Sequence, residues 1–325
     1  MRVLIKNGRV IDPANGRDEV CDIFVEDGKI AMVARNSKAP CDETIDAAAK
    51  ICIPGLVDMH VHLREPGRED KETVESGTRA ALKGGVTSLL AMPNTSPAID
   101  SVEGVRLLKE IIAATARAHV YIAGAITKSR AGKELADIVP MRQEGAVAIT
   151  DDGASVDNEV LFAEALEEAR RAGVLVACHC EDRAISGNGV VNRGIIATRM
   201  GLRGISNESE YERVERDIRI AERCGAPIHI QHVSCRESVE AVARAKQRGV
   251  RVTCETTPHH LTLSEEVVAG FDTNCKMNPP LRGKKDVEAL RRGLKEGVID
   301  CIASDHAPHT ENEKDIEFDR RSSGW

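Results

Sequence analysis

From Ile51 onward the chain alternates short apolar stretches with amphipathic ones, and this constrains its fold more than any other feature. Such alternation is the signature of parallel βαβ units, because parallel strands need a long crossover and a helix usually supplies it. The strand-like stretches end at His62, Asn94, Thr127, Asp152, Asp182, Ser234, His260 and His309. Helical periodicity fills residues 72–83, 102–117, 159–171, 210–224, 237–248 and 287–295, and Asn207-Glu-Ser-Glu210 fits a capping box. Eight strands in about 260 residues predict a (β/α)8 barrel. A doubly wound open sheet fits less well, since no Gly-x-Gly-x-x-Gly turn follows an early strand.

The first fifty residues read differently. Arg2–Ile5, Arg9–Ile11, Asp22–Val25 and Lys29–Val33 are short strands punctuated by Asn-Gly at 7–8 and 15–16 and Asp-Gly at 27–28, which are hairpin signals. The expected organisation is a small β domain over residues 1–50 and a barrel over 51–325.

Net charge is −7 with the two signs interspersed, which argues against a nucleic-acid partner. Aromatic residues make up only 2%, too few for base-stacking platforms. The longest apolar runs are too short to span a bilayer, and Lys6 and Asn7 interrupt the only N-terminal one, so a cytoplasmic protein without membrane contact is expected. Ten cysteines are scattered without a Cys-x-x-Cys pair, which suits reduced thiols packed as small hydrophobes.

Polar residues unusual for a core gather at the C-terminal ends of these strands, where barrel active sites form. His60-Val-His62 closes the first strand, and residues i and i+2 point to one face, so both imidazoles can reach one metal ion. Thr150-Asp-Asp-Gly153, Cys178-His-Cys-Glu-Asp182, His229-Ile-Gln-His232 and Ser304-Asp-His-Ala-Pro-His309 follow at later strand ends. Four histidines and two carboxylates suit one or two Zn²⁺ ions, which make hydroxide available at neutral pH and so favour hydrolysis, or its reversal, at a carbonyl. Alternation turns Cys178 and Cys180 away from His179, as packing residues. His259 and His260 are adjacent, cannot both face the pocket, and are left outside the ligand set. Of Asp151 and Asp152 only one can face the metal, and periodicity does not say which.

Asp58-Met-His-Val-His-Leu-Arg-Glu-Pro-Gly67, Ala91-Met-Pro-Asn-Thr95, Thr150-Asp-Asp-Gly153, His179-Cys-Glu-Asp182, His232-Val-Ser234, Met277-Asn-Pro-Pro-Leu-Arg282 and Ser304-Asp-His-Ala-Pro-His309 together resemble dihydroorotases of the larger bacterial class, in the amidohydrolase superfamily. The resemblance runs from residue 1 to about 318 with the motifs in order. It implies reversible cyclisation of N-carbamoyl-L-aspartate to L-dihydroorotate in pyrimidine synthesis, on two zinc ions per chain. By motif, His60 and His62 bind one zinc, His179 and His232 the second, and Asp152 bridges them in the place of the carboxylated lysine of related enzymes. Asp305 is implied as both a ligand and the general acid/base, taking the proton of the attacking hydroxide and returning it to the departing ring nitrogen. Arg64, Asn94 and His309 are similar to the family's binders of the substrate carboxylate, and Asn278 to a further pocket contact. A guanidinium independently suits a carboxylate, since its planar fork makes two parallel hydrogen bonds. A homodimer and a complex with aspartate transcarbamoylase are the assemblies the resemblance brings with it.

The resemblance weakens after His309. The family continues with a Phe-x-x-Ala-Pro-Phe-Gly-type loop, a last helix and strands that return to the β domain. Here Phe318-Asp-Arg-Arg-Ser-Ser-Gly-Trp325 stands in their place, so a shortened chain is expected, lacking most of its last helix and the returning strands. Allantoinase and dihydropyrimidinase share the expected barrel and metal centre; Asp152 in the bridging place and the Leu63-Arg-Glu-Pro66 segment with Asn94 favour dihydroorotase. A non-catalytic dihydroorotase-like partner of aspartate transcarbamoylase would be expected to lose metal ligands, and all six are present.

Overall fold

The structure, a computed structural model, describes residues 1–319. It divides into two compact units, Met1–Leu56 and the chain from Val57 onward.

The first unit holds β1 (Arg2–Asp12), β2 (Arg17–Glu26), β3 (Lys29–Ala34), β4 (Glu43–Asp46) and β5 (Ile51–Cys52). β1, β2 and β3 form consecutive antiparallel hairpins, while β4 and β5 lie parallel to β1. Asp27 and Gly28 take positive φ angles of 50° and 76° in the turn between β2 and β3, as Asp-Gly predicts. Asn7-Gly8 behaves otherwise: β1 runs straight through it, and the register shifts between Ile5 and Gly8. The pair makes a bulge because Asp22 supplies an acceptor for the Asn7 N–H at 2.9 Å, so the chain need not turn to satisfy that donor.

The second unit alternates as its sequence predicts. β6 (Leu56–Val61), α1 (Val74–Lys83), β7 (Val86–Ala91), α2 (Val102–Thr115), β8 (His119–Gly124), α3 (Ile138–Glu144), β9 (Ala146–Ile149), α4 (Glu159–Ala172) and β10 (Leu175–Cys178) come first. An excursion follows, made of α5 (Arg183–Ser186), β11 (Val191–Asn192), α6 (Ile195–Met200) and β12 (Gly204–Ile205). The barrel then resumes with α7 (Glu208–Cys224), β13 (Ile228–Ile230), α8 (Arg236–Gln247), β14 (Val252–Thr256), α9 (Pro258–Thr262), α10 (Lys284–Lys295), β15 (Cys301–Ile302) and α11 (Glu311–Lys314). Eight strands stand side by side in the order β6-β7-β8-β9-β10-β13-β14-β15. A parallel bridge between Val61 and His306 joins the two ends of this sheet, with the His62 N–H donating to the His306 carbonyl at 2.8 Å. The architecture is a (β/α)8 barrel with an N-terminal β unit.

Helical spacing explains the packing. Phe162, Leu166 and Ala169 of α4 and Val214, Ile218 and Ala221 of α7 recur every three or four residues and join Ile149, Val176 and Ile228 of the strands in one buried cluster. Each fully buried aliphatic side chain of this kind stabilises by roughly 1.5–3 kcal/mol, which gives the strand ends a rigid base. Cys178 and Cys180 belong to the same buried cluster, as packing residues.

Three local expectations are corrected. Asn207 is already helical and makes no cap; its amide donates to Glu237 and Asp286, and Glu210 turns inward to Ser234 and Arg282. The His259-His260 stretch is not a strand end but α9, opened by the Thr257 cap with Pro258 in the first turn, where its missing N–H costs nothing. Regular strand pairing also stops several residues before most of the expected ends, so the candidate residues other than His60, which lies in β6, sit beyond the strands.

The segment expected to replace the family's loop, 318–325, lies partly outside the described residues. Its Phe318 is buried in a cluster with Val268, Met277 and Leu281. Among the described residues no helix is long and apolar enough to cross a membrane.

Candidate active site

A cavity of about 300 Å³ opens at the C-terminal ends of the barrel strands. Of the ten residues singled out above, nine line it: His62, Arg64, Asn94, Asp152, His179, His232, Asn278, Asp305 and His309. The tenth, His60, is fully buried at 0% exposure. Grooves of about 520 and 540 Å³ lie elsewhere on this unit, but no histidine lines either.

Asp152 is central. Its carboxylate lies 3.3 Å from His60 Nε2, 3.4 Å from His62 Nε2, 3.5 Å from His232 Nε2 and 3.7 Å from His179 Nδ1. Asp151 faces away and accepts from the backbone N–H groups of Ile126 and Thr127 and from the Thr127 hydroxyl. Asp305 Oδ1 lies 3.1 Å from His62 Nε2 and 3.5 Å from His60 Nε2. The His179 Nδ1 and His232 Nε2 atoms approach to 2.9 Å, a distance at which two lone pairs need a proton or a cation between them.

Three of these residues sit in the left-handed backbone region: Arg64 (φ 63°), His232 (φ 33°) and Asp305 (φ 51°). For residues with a Cβ this conformation costs of order 1–2 kcal/mol, and its concentration here fits a site where side-chain direction outweighs local comfort.

The buried charges call for a cation. Burial alone would lower the His60 imidazole, yet Asp152, Asp305 and Glu255 hold it well above its ordinary value. His179 likewise rises to about 9, against burial, through Asp152 and Glu181. Burial pushes Asp305 up, but His60 and His62 bring it down to about 2, so its carboxyl is ionised. His60 Nε2 and Asp152 Oδ1 are buried and make no hydrogen bond among the described residues, although they face each other. Buried polar atoms rarely go unpaired, and four imidazoles with two carboxylates match the ligand preferences of zinc and related borderline metals. Two overlapping trios have ligand atoms close enough for one ion each: His60, His62 and Asp305, and His60, Asp152 and His232. The residues present fit a metal centre.

The lining of the cavity also includes the Arg64 guanidinium. Arg64 donates through Nε to the Pro308 carbonyl at 3.2 Å. His309 Nδ1 lies 3.1 Å from Glu313 and 3.4 Å from Lys71, and burial together with the nearby Arg64 and Lys71 charges lowers it to about 4, leaving it neutral. Asn94 accepts from His62 Nδ1 at 2.8 Å, so part of its polar capacity orients a metal-type ligand.

Sequence reasoning missed Glu255, Glu181, Gln231 and Lys71. Glu255 carried a signal, as a lone charged residue inside Val252-Thr-Cys-Glu-Thr256. Glu181 stood inside a quoted motif and was passed over; it lies 3.4 Å from His179 Nε2 and accepts from the Asn278 amide at 3.2 Å.

Comparison with known proteins identifies the family and the fold. The family model described as "Dihydro-orotase-like" matches residues 49–238. A protein named dihydroorotase from Elusimicrobium minutum is 51% identical over 98% of this chain and 74% of its own length. Another of the same name from Pelotomaculum thermopropionicum is 49% identical with the same coverage. Among solved structures, the L-hydantoinase (dihydropyrimidinase) of Arthrobacter aurescens superposes with a TM-score of 0.87 at 23% identity, over 99% of this chain and 73% of that one. A D-hydantoinase from a Thermus species gives a TM-score of 0.79 at 26% identity, over 99% and 73%.

Proposed function

The chain belongs to the dihydroorotase family, and from that premise we propose that it is a zinc-dependent cyclic amidohydrolase that interconverts N-carbamoyl-L-aspartate and L-dihydroorotate in pyrimidine synthesis. One observation carries this reading: five of the six metal-type residues and the Arg64 guanidinium line a single cavity of about 300 Å³. The first part suits attack on an amide carbonyl, the second a substrate that carries a carboxylate.

His60, His62, Asp152, His179, His232 and Asp305 would hold two zinc ions. Bound there, zinc supplies Lewis-acid polarisation of the amide carbonyl and activation of water near neutral pH. Asp305 is ionised and partly open to the cavity, so its carboxylate takes a proton as water adds to the ring carbonyl. The same carboxyl then hands that proton to the ring nitrogen as the carbon–nitrogen bond breaks. In the direction of ring closure the order reverses.

Arg64 orients the substrate carboxylate through its planar fork, and neutral His309 adds a hydrogen bond without a competing charge. Asn94 and Asn278 complete the pocket, Asn94 from beside His62 and Asn278 from beside Glu181.

Turnover of dihydroorotate, dihydrouracil, hydantoin and allantoin by the purified chain, with metal analysis alongside, tests the proposal. Preference for dihydroorotate at two zinc ions per chain is the expected result. Preference for any of the others, or less than half an equivalent of metal in a folded and active sample, overturns it.

A further inference from the structure

Glu255 lies in β14, 1% exposed, and is neither one of the six metal-type residues nor a substrate contact. A carboxylate this deeply buried is costly unless its oxygens are committed, and these are. Oε1 accepts from His60 Nδ1 at 2.7 Å and from the His232 backbone N–H at 3.3 Å. Oε2 faces His229 Nε2 at 3.2 Å, and His229 Nδ1 in turn reaches Thr253 Oγ1 at 2.8 Å.

Two consequences follow from the chemistry of these groups. An ionised carboxylate can only accept, so Glu255 keeps a proton on His60 Nδ1, and Nε2, on the Asp152 side, is the nitrogen that would serve as the ligand atom when a metal is bound. Gln231 also approaches His60 Nδ1, at 3.3 Å, but with its amide nitrogen, which is a donor; its oxygen takes the Thr150 hydroxyl. Glu255 is therefore the acceptor. The second consequence concerns His232, whose backbone is left-handed. The hydrogen bond from its N–H to Glu255 holds it there.

We propose that Glu255, itself steadied by His229, is a positioning residue for the metal centre: it fixes the ring state of His60 and the backbone of His232, one ligand from each half of the site. The proposal rests on the reading that this cluster holds zinc. Outer partners of metal-ligating histidines act in this way, by orienting the ring and raising its basicity.

The test is Glu255→Gln in the full chain, which keeps the shape but turns one of the two acceptor oxygens into an amide donor, so the contacts to His60, His232 and His229 cannot all be kept. Zinc affinity is measured by competition with a chromophoric chelator, and the visible absorption of the cobalt(II)-loaded protein is recorded, for variant and parent alike. The expected result is a loss of affinity of roughly 10–100-fold with an altered cobalt band, in a protein whose circular dichroism matches the parent. Equal affinity and an identical band overturn the proposal. A parent chain that binds neither metal overturns the zinc reading, and this proposal with it. Should Glu255→Gln fail to fold, His229→Gln carries the test: weaker zinc binding in the same direction supports the proposal, and unchanged binding overturns it.

Discussion

Arg282 and Glu210 face each other at 3.3 Å with side chains only 1% and 4% exposed. The pair closes a network. Glu210 also accepts from the N–H groups of Ser234 and Cys235 and from the Ser234 hydroxyl, while Arg282 donates to Ser234 Oγ, Asn192 Oδ1 and the Ile205 carbonyl. It thereby ties the turn after His232 to the segment that carries Asn278.

Glu210→Ala leaves the Arg282 charge buried without its carboxylate. Removing one partner of a buried pair costs about 3–5 kcal/mol, so a fall of that size in unfolding free energy is expected by urea titration. Replacing both residues by apolar ones of similar size should cost much less. A loss below about 1 kcal/mol for Glu210→Ala would mean that the pair does not anchor the turn after His232 to the Asn278 segment.

The same carboxyl sets a pH dependence. Burial pushes Glu210 up, but Arg282 and Ser234 hold it below its ordinary value of 4.5. The folded chain thus binds this proton less readily than the unfolded one. The stability this contributes is present above pH 4.5 and is lost as pH falls through the lower folded value. Glu210→Gln should therefore flatten the acid limb of stability against pH below 4.5, measured by thermal melts. Parallel acid limbs in parent and variant would contradict this.

Arg64→Lys tests the guanidinium in the cavity lining. Lysine keeps the charge but loses the fork, and one charge-assisted hydrogen bond is worth about 1.5–3 kcal/mol. The expected effect is a rise in KM for dihydroorotate of roughly tenfold or more with metal content unchanged. An unchanged KM in steady-state assays would remove Arg64 from carboxylate recognition.

How much was legible in the sequence depended on whether the signal was local. The strand and helix alternation and His60-Val-His62 could be read because periods of two and about 3.6 report which face is buried. The bulge at Asn7-Gly8 could not, because its cause is Asp22 on the neighbouring strand. Glu210 has the spacing of a capping-box residue, yet Ser234 and Arg282, 24 and 72 residues away, claim it. The place of Asp152 at the centre of four histidines was open to motif likeness alone, since alternation only excluded that both aspartates face inward. What escaped were the residues that hold other residues: Glu255 and Glu181 touch rings whose neighbours in space come from distant strands.

Asp305→Asn separates proton transfer from architecture. The carboxylate is held near 2 by His60 and His62, so it is ready to accept a proton throughout the neutral range. Asparagine keeps an oxygen that can face His62 but cannot carry the proton from water to the ring nitrogen. General acid/base groups contribute roughly 10²–10⁴-fold, so kcat for dihydroorotate hydrolysis should fall by that factor. KM should change little, since Arg64, Asn278 and His309 are untouched. Metal content must be measured on the same sample, because Asp305 also belongs to the cluster with His60 and His62. A fully loaded variant whose kcat stays within tenfold of the parent would mean that another group moves the proton, and Asp305 would then be left with a role in binding metal alone.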